Sequence, residues 1–119
     1  MAAPLSAKDT QGSVIYDAAV VYIVRENILF RTRQSAENIR KNALTTVNSK
    51  DTIIVTKIIN TLRKNCKPAE LNSIDARIVV DFFYKEKKTE SFFGGNGYFY
   101  NESGKQLCNV NSQHLLSFL

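Results

Sequence analysis

The sequence predicts an α+β fold: a largely antiparallel sheet of about five to six strands with two to three helices packed on one of its faces. Three features carry that expectation. Ile54, Ile58 and Leu62 recur at i, i+4 spacing, widened by Val55 and Ile59, which is the pattern of an amphipathic helix. Ile78, Val80, Phe82 and Tyr84 share one side of a strand, while Val79 and Phe83 sit among Arg77, Asp81 and Lys85 on the other. The last third of the chain then holds short aromatic runs parted by Gly, Asn and Ser, as consecutive hairpins do.

In order along the chain, residues 1–13 (MAAPLSAKDTQGS) are small and polar and are expected to be a flexible tail, leaving 14–119 as one α+β domain. Residues 14–30 read as two strands around a turn at Arg25-Glu26-Asn27, because their β-branched density disfavours a helix over 17–24. Ser35 can cap a short helix with Ile39 and Ala43 on one face and Arg33, Glu37, Arg40 and Lys41 outside it. A short strand follows over 44–48. Ser49 or Asp51 then caps the main helix, whose Lys50, Lys57, Arg63 and Lys64 lie off the apolar stripe, and Cys66 continues that stripe inward. Residues 67–73 are expected as a loop, 75–85 as the most regular strand, and Glu86-Lys87-Lys88 as a charged turn. Strands over 91–93 and 98–100 are separated by Gly94-Gly95-Asn96-Gly97. A turn at 101–104 and a short segment over 105–110 lead to a terminal helix, capped by Asn111 or Ser112, with Leu115, Leu116 and Leu119 on its apolar side.

A chain of 119 residues, 44% apolar, can bury the core of one domain. No run approaches the ~18 apolar residues of a membrane span, so none is expected. Ala2-Ala3-Pro4 resembles the start that signal-peptide cleavage leaves, with Met1 ahead of it. This sets the expectation of a periplasmic or secreted protein, the alternative being a cytoplasmic one with a ragged N-terminus. Cys66 and Cys108 fit one disulfide in an oxidising compartment, or two buried thiols. The net charge of +5 is uneven: residues 1–67 carry +6 and residues 68–119 carry −1. A basic half favours encounter with an acidic partner.

The motifs exclude more than they assign. A phosphate loop needs a helix directly after it, and Gly94-Gly95-Asn96-Gly97 leads into the strand-like Tyr98-Phe99-Tyr100, so a turn using positive φ is expected. His114 is the only histidine and has no companion for metal or acid–base chemistry. Asp81, Glu86 and Glu90 are the candidates for a carboxylate pair, but their lysine neighbours point to a solvated, ion-paired hairpin. Asn101-Glu102-Ser103 matches a glycosylation sequon by a short pattern. No metal ligands, cofactor site or catalytic residues are expected. The aromatics of 82–100 are mostly core, with Tyr98 and Tyr100 expected on an exposed contact face.

The run Ser49-Lys50-Asp51-Thr52-Ile53, the helix ending near Leu62, the strand from Asp75 to Phe82, the Gly-containing hairpin and the closing Asn-x-x-x-Leu-Leu helix resemble, over residues 35–119, small bacterial immunity or inhibitor proteins of polymorphic-toxin and contact-dependent inhibition systems. The resemblance is one of organisation and carries over no catalytic residue. It implies a stoichiometric inhibitor that occludes a toxin or enzyme. The expected contacts are the basic residues Arg31, Arg33, Arg40, Lys41, Lys57, Arg63 and Lys64 with Tyr98 and Tyr100, meeting an acidic protein. The alternatives are a secreted or periplasmic accessory binding module and a nucleic-acid-binding protein that uses the basic half, whose affinity would fall steeply with salt.

Overall fold

A computed structural model describes residues 16–24, 35–70, 76–95 and 97–119. The expected tail over 1–13, the turn at 25–27, the second strand up to residue 30, Arg31, Arg33 and Asn96 lie outside the described residues. The elements in chain order are β1 (Ala18–Ile23), α1 (Ala36–Asn42), β2 (Thr45–Ser49), α2 (Thr52–Leu62), β3 (Cys66–Pro68), β4 (Ile78–Tyr84), β5 (Lys87–Gly95), β6 (Tyr98–Asn101), β7 (Gln106–Asn109) and α3 (Ser112–Leu116). The chain is therefore α+β. All seven strands join one sheet in the order β2-β1-β4-β5-β6-β7-β3, and every neighbouring pair is antiparallel.

Two strands lie outside those expected: β7, on the short segment over 105–110, and β3, where Cys66 is expected to continue the helix stripe and Lys67 to open a loop, since three residues ending in Pro68 show no periodicity. Pairing decides the matter: Cys66 lies opposite Cys108, Lys67 opposite Leu107 and Pro68 opposite Gln106. Cys66 and Cys108 are joined by a disulfide across this pair, with Cα atoms 4.0 Å apart.

Two helices, α2 and α3, share one face of the sheet as expected, and α1 lies on the other. Strand alternation sends Ile78, Val80, Phe82, Phe92, Phe99 and Cys108 into a broad core with Val55, Ile58, Ile59 and Leu62 of α2 and Leu115 of α3. The intervening residues Val79, Phe93 and Tyr100 face the other way and form a narrower core with Val24, Ala76 and Ile39 of α1. A strand carrying apolar residues on both faces needs a cover on both, and β4 is buried from Ile78 through Phe82. One apolar residue, Ile39, gives α1 its buried anchor.

Local chemistry fixes the helix starts. The Asp51 carboxylate accepts from the Ile53 and Ile54 N–H groups at 2.9 and 3.4 Å, so Asp51 rather than Ser49 caps α2. The Asn111 side chain accepts from His114 N–H at 3.1 Å and the Ser35 hydroxyl from Asn38 N–H at 3.2 Å.

The hairpin between β4 and β5 turns at Lys85-Glu86, whose φ values are 51° and 69°, and not over 86–88. Positive φ at both central residues matches the right-handed twist of the strands and is ordinarily supplied by Asn-Gly. Here Lys85 N–H donates to the Asp17 carboxylate at 2.9 Å, holding the turn from a neighbouring strand end. β5 accordingly starts earlier than expected, at Lys87. Gly94 is required on different grounds. A Cβ there would lie 2.1 Å from the Tyr98 carbonyl oxygen and 2.8 Å from Phe99 Cα, so β5 and β6 approach closely only over glycine. Gly97, at φ 93°, supplies the expected positive φ in the turn that follows.

Candidate interaction surface

Strands β4 and β5 each contribute a buried carboxylate, one to each face of the sheet. On the narrow face Asp81, 2% exposed, is gripped by Arg40 of α1. The Arg40 Nε and Nη2 donate to its two oxygens at 2.9 and 2.7 Å, and the Ser91 hydroxyl donates to Oδ1 at 2.6 Å. Glu37, one turn back on α1, pairs with the same guanidinium. On the broad face Glu90, 5% exposed, accepts from the Tyr16 hydroxyl and from Asn101 Nδ2, both at 2.5 Å, and pairs with Arg63 at the end of α2. Tyr16 also stacks on Phe82, their ring centroids 5.1 Å apart.

The electrostatics follow from burial and these partners. Burial, reinforced by the hydrogen bond to Glu90, pushes the Tyr16 phenol far above its ordinary value. Tyr22 is raised on the narrow face, by burial first and then by the charge of Asp81. Hydrogen bonding to Asp81 raises the Arg40 guanidinium.

Asp81 and Glu90 were expected on a solvated, ion-paired hairpin. They are ion-paired, but they are buried and point away from each other. Asp81 is opposite Ser91 on one face, and Glu90 is opposite Phe82 on the other. They cannot flank a common bond, so the two do not form a carboxylate pair of glycosidase type. The sequon is also occupied internally. Asn101 is buried, its amide donates to Glu90, and its carbonyl accepts from Gly104 N–H at 3.2 Å. His114 is exposed, with its ring edge against Phe118.

The expected contact residues separate into two groups. Arg40 is tied to the buried Asp81, and Tyr100 is 3% exposed with its hydroxyl donating to the Ala69 carbonyl at 3.3 Å, so these two are corrected from contacts to structural groups, while Arg63 pairs with Glu90 and stays exposed. The physical reason is the guanidinium fork, which matches a carboxylate in two places and is weakly hydrated, whereas a lysine ammonium keeps its water. Lys41, Lys57 and Lys64 are exposed, as is Tyr98 at 52%. They do not converge. Lys57 stands on α2 over the broad face and Lys64 just past its end, while Tyr98 belongs to the strand side that carries Tyr100 and Lys41 to α1.

Two surfaces remain. Along the outer side of α2, Ile53, Lys57 and Asn60 recur at i, i+4 and i+7, and Lys64 follows just past the helix end; all four are exposed, Ile53 to 66%. On the narrow face, past the end of α1, an open trough of about 470 Å³ has Ala18, Val20 and Phe83 along its floor and Asn48, Lys50 and Lys85 at its sides. Sequence reasoning missed the trough. Its signal is the second-face apolar set of β1 and β4, which a seven-residue α1 is too short to cover.

Among the described residues no group of three or more His, Cys, Asp or Glu could hold a metal, and no helix is long and apolar enough to cross a membrane. Comparison with protein-family models, with curated proteins and with solved structures finds no match in any of the three.

Proposed function

We propose that this chain is a non-catalytic binding protein of immunity or inhibitor type, which occludes an acidic toxin or enzyme. The observation that carries the reading is the outer line of α2: one exposed apolar residue, Ile53, followed by Lys57 and Asn60 on a helix braced from beneath by four buried residues, with Lys64 exposed just past its end. A rigid element presenting an apolar anchor among cations suits a preformed interface with an acidic surface. The chemistry of the interior supports the same reading. The buried titratable side chains neutralise each other within the two clusters, which leaves them fastening the fold. The Cys66–Cys108 bond favours an oxidising compartment, the periplasm or the exterior.

The test is co-expression of the tagged chain with the product of the neighbouring gene, followed by affinity measurement. A one-to-one complex is expected, weakened at least tenfold by Lys57→Glu/Lys64→Glu at an unchanged unfolding temperature. Recovery of nucleic acid that salt strips away would replace this reading with the nucleic-acid one. A secreted accessory module would give neither a stoichiometric protein complex nor nucleic acid.

A further inference from the structure

The two sulfurs of the disulfide meet different surroundings. Cys108 is fully buried on β7, opposite the equally buried Phe99 of β6. Cys66 is only partly buried, on β3, and among the described residues no strand lies outside β3. Thiol–disulfide exchange begins when a thiolate attacks one sulfur from the side away from the sulfur that leaves, so access decides which of the two is attacked. The bond crosses from β7 to β3. Attack on Cys108 therefore has to come from the β6 side, through Phe99, whereas attack on Cys66 comes from the open edge of the sheet.

That edge is also cationic. From Thr52 through Ala69 the chain contains no Asp or Glu, while Lys64 and Lys67 flank Cys66. Both lysines are exposed, and neither forms an ion pair among the described residues. The carboxylates of this region are Glu90, which Arg63 pairs; Glu70, beyond the far end of β3; and Glu102, which shares its turn with Lys105. An anionic reagent is thus drawn toward Cys66. The pairing of β3 also has support besides the sulfur bond. Asn109 N–H donates to the Asn65 carbonyl at 2.9 Å and Ala69 N–H to the Lys105 carbonyl at 3.0 Å, on either side of the cysteines. The strand can keep its place when the sulfurs part.

We propose that Cys66 is a site of S-thiolation by small anionic thiols. The incoming thiolate forms a bond to Cys66 Sγ, the Cys66–Cys108 bond breaks, and Cys108 Sγ leaves with the bonding electron pair. It takes a proton from water, because an apolar core disfavours the anion. The incoming thiol is oxidised to the mixed disulfide as Cys108 is reduced, so no further oxidant is needed. A neutral thiol at Cys108 is a weak nucleophile for the return attack, which lets the adduct be trapped.

The test exposes the folded full chain to mercaptoacetate, mercaptoethanol or cysteamine at low ionic strength. The reaction is quenched with acid, free thiols are capped with a maleimide under denaturing conditions, and both cysteines are mapped by peptide mass. The adduct is expected on Cys66 and the maleimide on Cys108, at a rate proportional to thiol concentration. Relative to each thiol's rate with an uncharged reference disulfide, mercaptoacetate should lead cysteamine by about threefold or more. Lys64→Glu/Lys67→Glu should reverse that order, and salt at about 0.5 M should erase it. An adduct on Cys108, or one shared evenly between the sulfurs, would overturn the proposal. So would a rate independent of thiol concentration, because unfolding would then gate the reaction, or an order of rates blind to charge.

Discussion

On the broad face Glu90 sits in a core roofed by α2 and α3, its partners Tyr16, Arg63 and Asn101 drawn from three distant stretches of chain. On the narrow face Asp81 sits under α1 alone, held by Arg40 and Ser91. Both carboxylates come from the same pair of strands, so the sheet itself treats them alike. What differs is the number of elements each one fastens. The broad cluster ties the described start of the chain to the end of α2 and to β6. The narrow cluster serves mainly to pin a seven-residue helix that buries a single isoleucine. The broad face should therefore determine global stability, and the narrow face the local attachment of α1.

The largest test of that difference is a pair of core truncations. Phe82→Ala should cost about 3–5 kcal/mol by denaturant unfolding, since the ring is fully buried against Tyr16 and Phe92. Ile39→Ala should free α1, with fast amide exchange over 36–42, while the midpoint of global unfolding moves much less. An equal shift in both variants would erase the comparison. Next come the carboxylates. Glu90→Ala leaves the Tyr16 hydroxyl, the Asn101 amide and the Arg63 cation without their common acceptor, and should lower global stability by about 3–5 kcal/mol. Asp81→Ala should act on α1 first, giving local exchange before any loss of the β4–β5 amides.

A third test uses pH. The folded-state pKa of Tyr16 is raised, so its neutral form is favoured by folding. That contribution is complete below the unfolded value of about 10 and is lost as pH rises above it. Alkaline titration should therefore destabilise the fold from about pH 10 upward. Tyr16→Phe should be less stable at neutral pH, with a flatter alkaline limb; Tyr22, raised more by burial than by its neighbours, contributes in the same direction. The smallest effect is expected at Ser112, whose buried hydroxyl finds no hydrogen-bond partner among the described residues. Ser112→Ala should be neutral or stabilise by up to about 1 kcal/mol in thermal unfolding.

The broad face was largely legible in the sequence and the narrow face was not. The α2 stripe, a cap at Ser49 or Asp51, the β4 alternation and the inward Leu115 all follow from periodicity and capping chemistry. Periodicity speaks only about the element that bears it. It cannot say that the second face of β4 needs its own cover, because Val79 and Phe83 alone are as consistent with a half-wet face. The Lys85-Glu86 turn was hidden because neither residue is a usual bearer of positive φ, and the Asp17 carboxylate that assists it lies 68 residues away. β3 was hidden because its strand character comes from its partner. The contact list failed for a related reason. Composition counts arginine and lysine alike, but the fold draws Arg40 inward to Asp81 and leaves Lys41, its neighbour on α1, in water.

The course of α2 has a mechanical consequence. The helix connects β2, at one margin of the sheet, to β3 at the opposite margin. Six interstrand steps of about 4.8 Å separate those margins, a span of about 29 Å, and α2 covers about 16 Å of it at 1.5 Å per residue. It acts as a diagonal tie-beam, loaded in tension whenever the two margins are drawn apart. One foot of the beam is held by hydrogen bonds between β2 and β1, and the other by a covalent bond at Cys66. Force applied across the sheet will thus be released at the non-covalent foot first, and after reduction of the disulfide the order of failure reverses toward the three-residue β3.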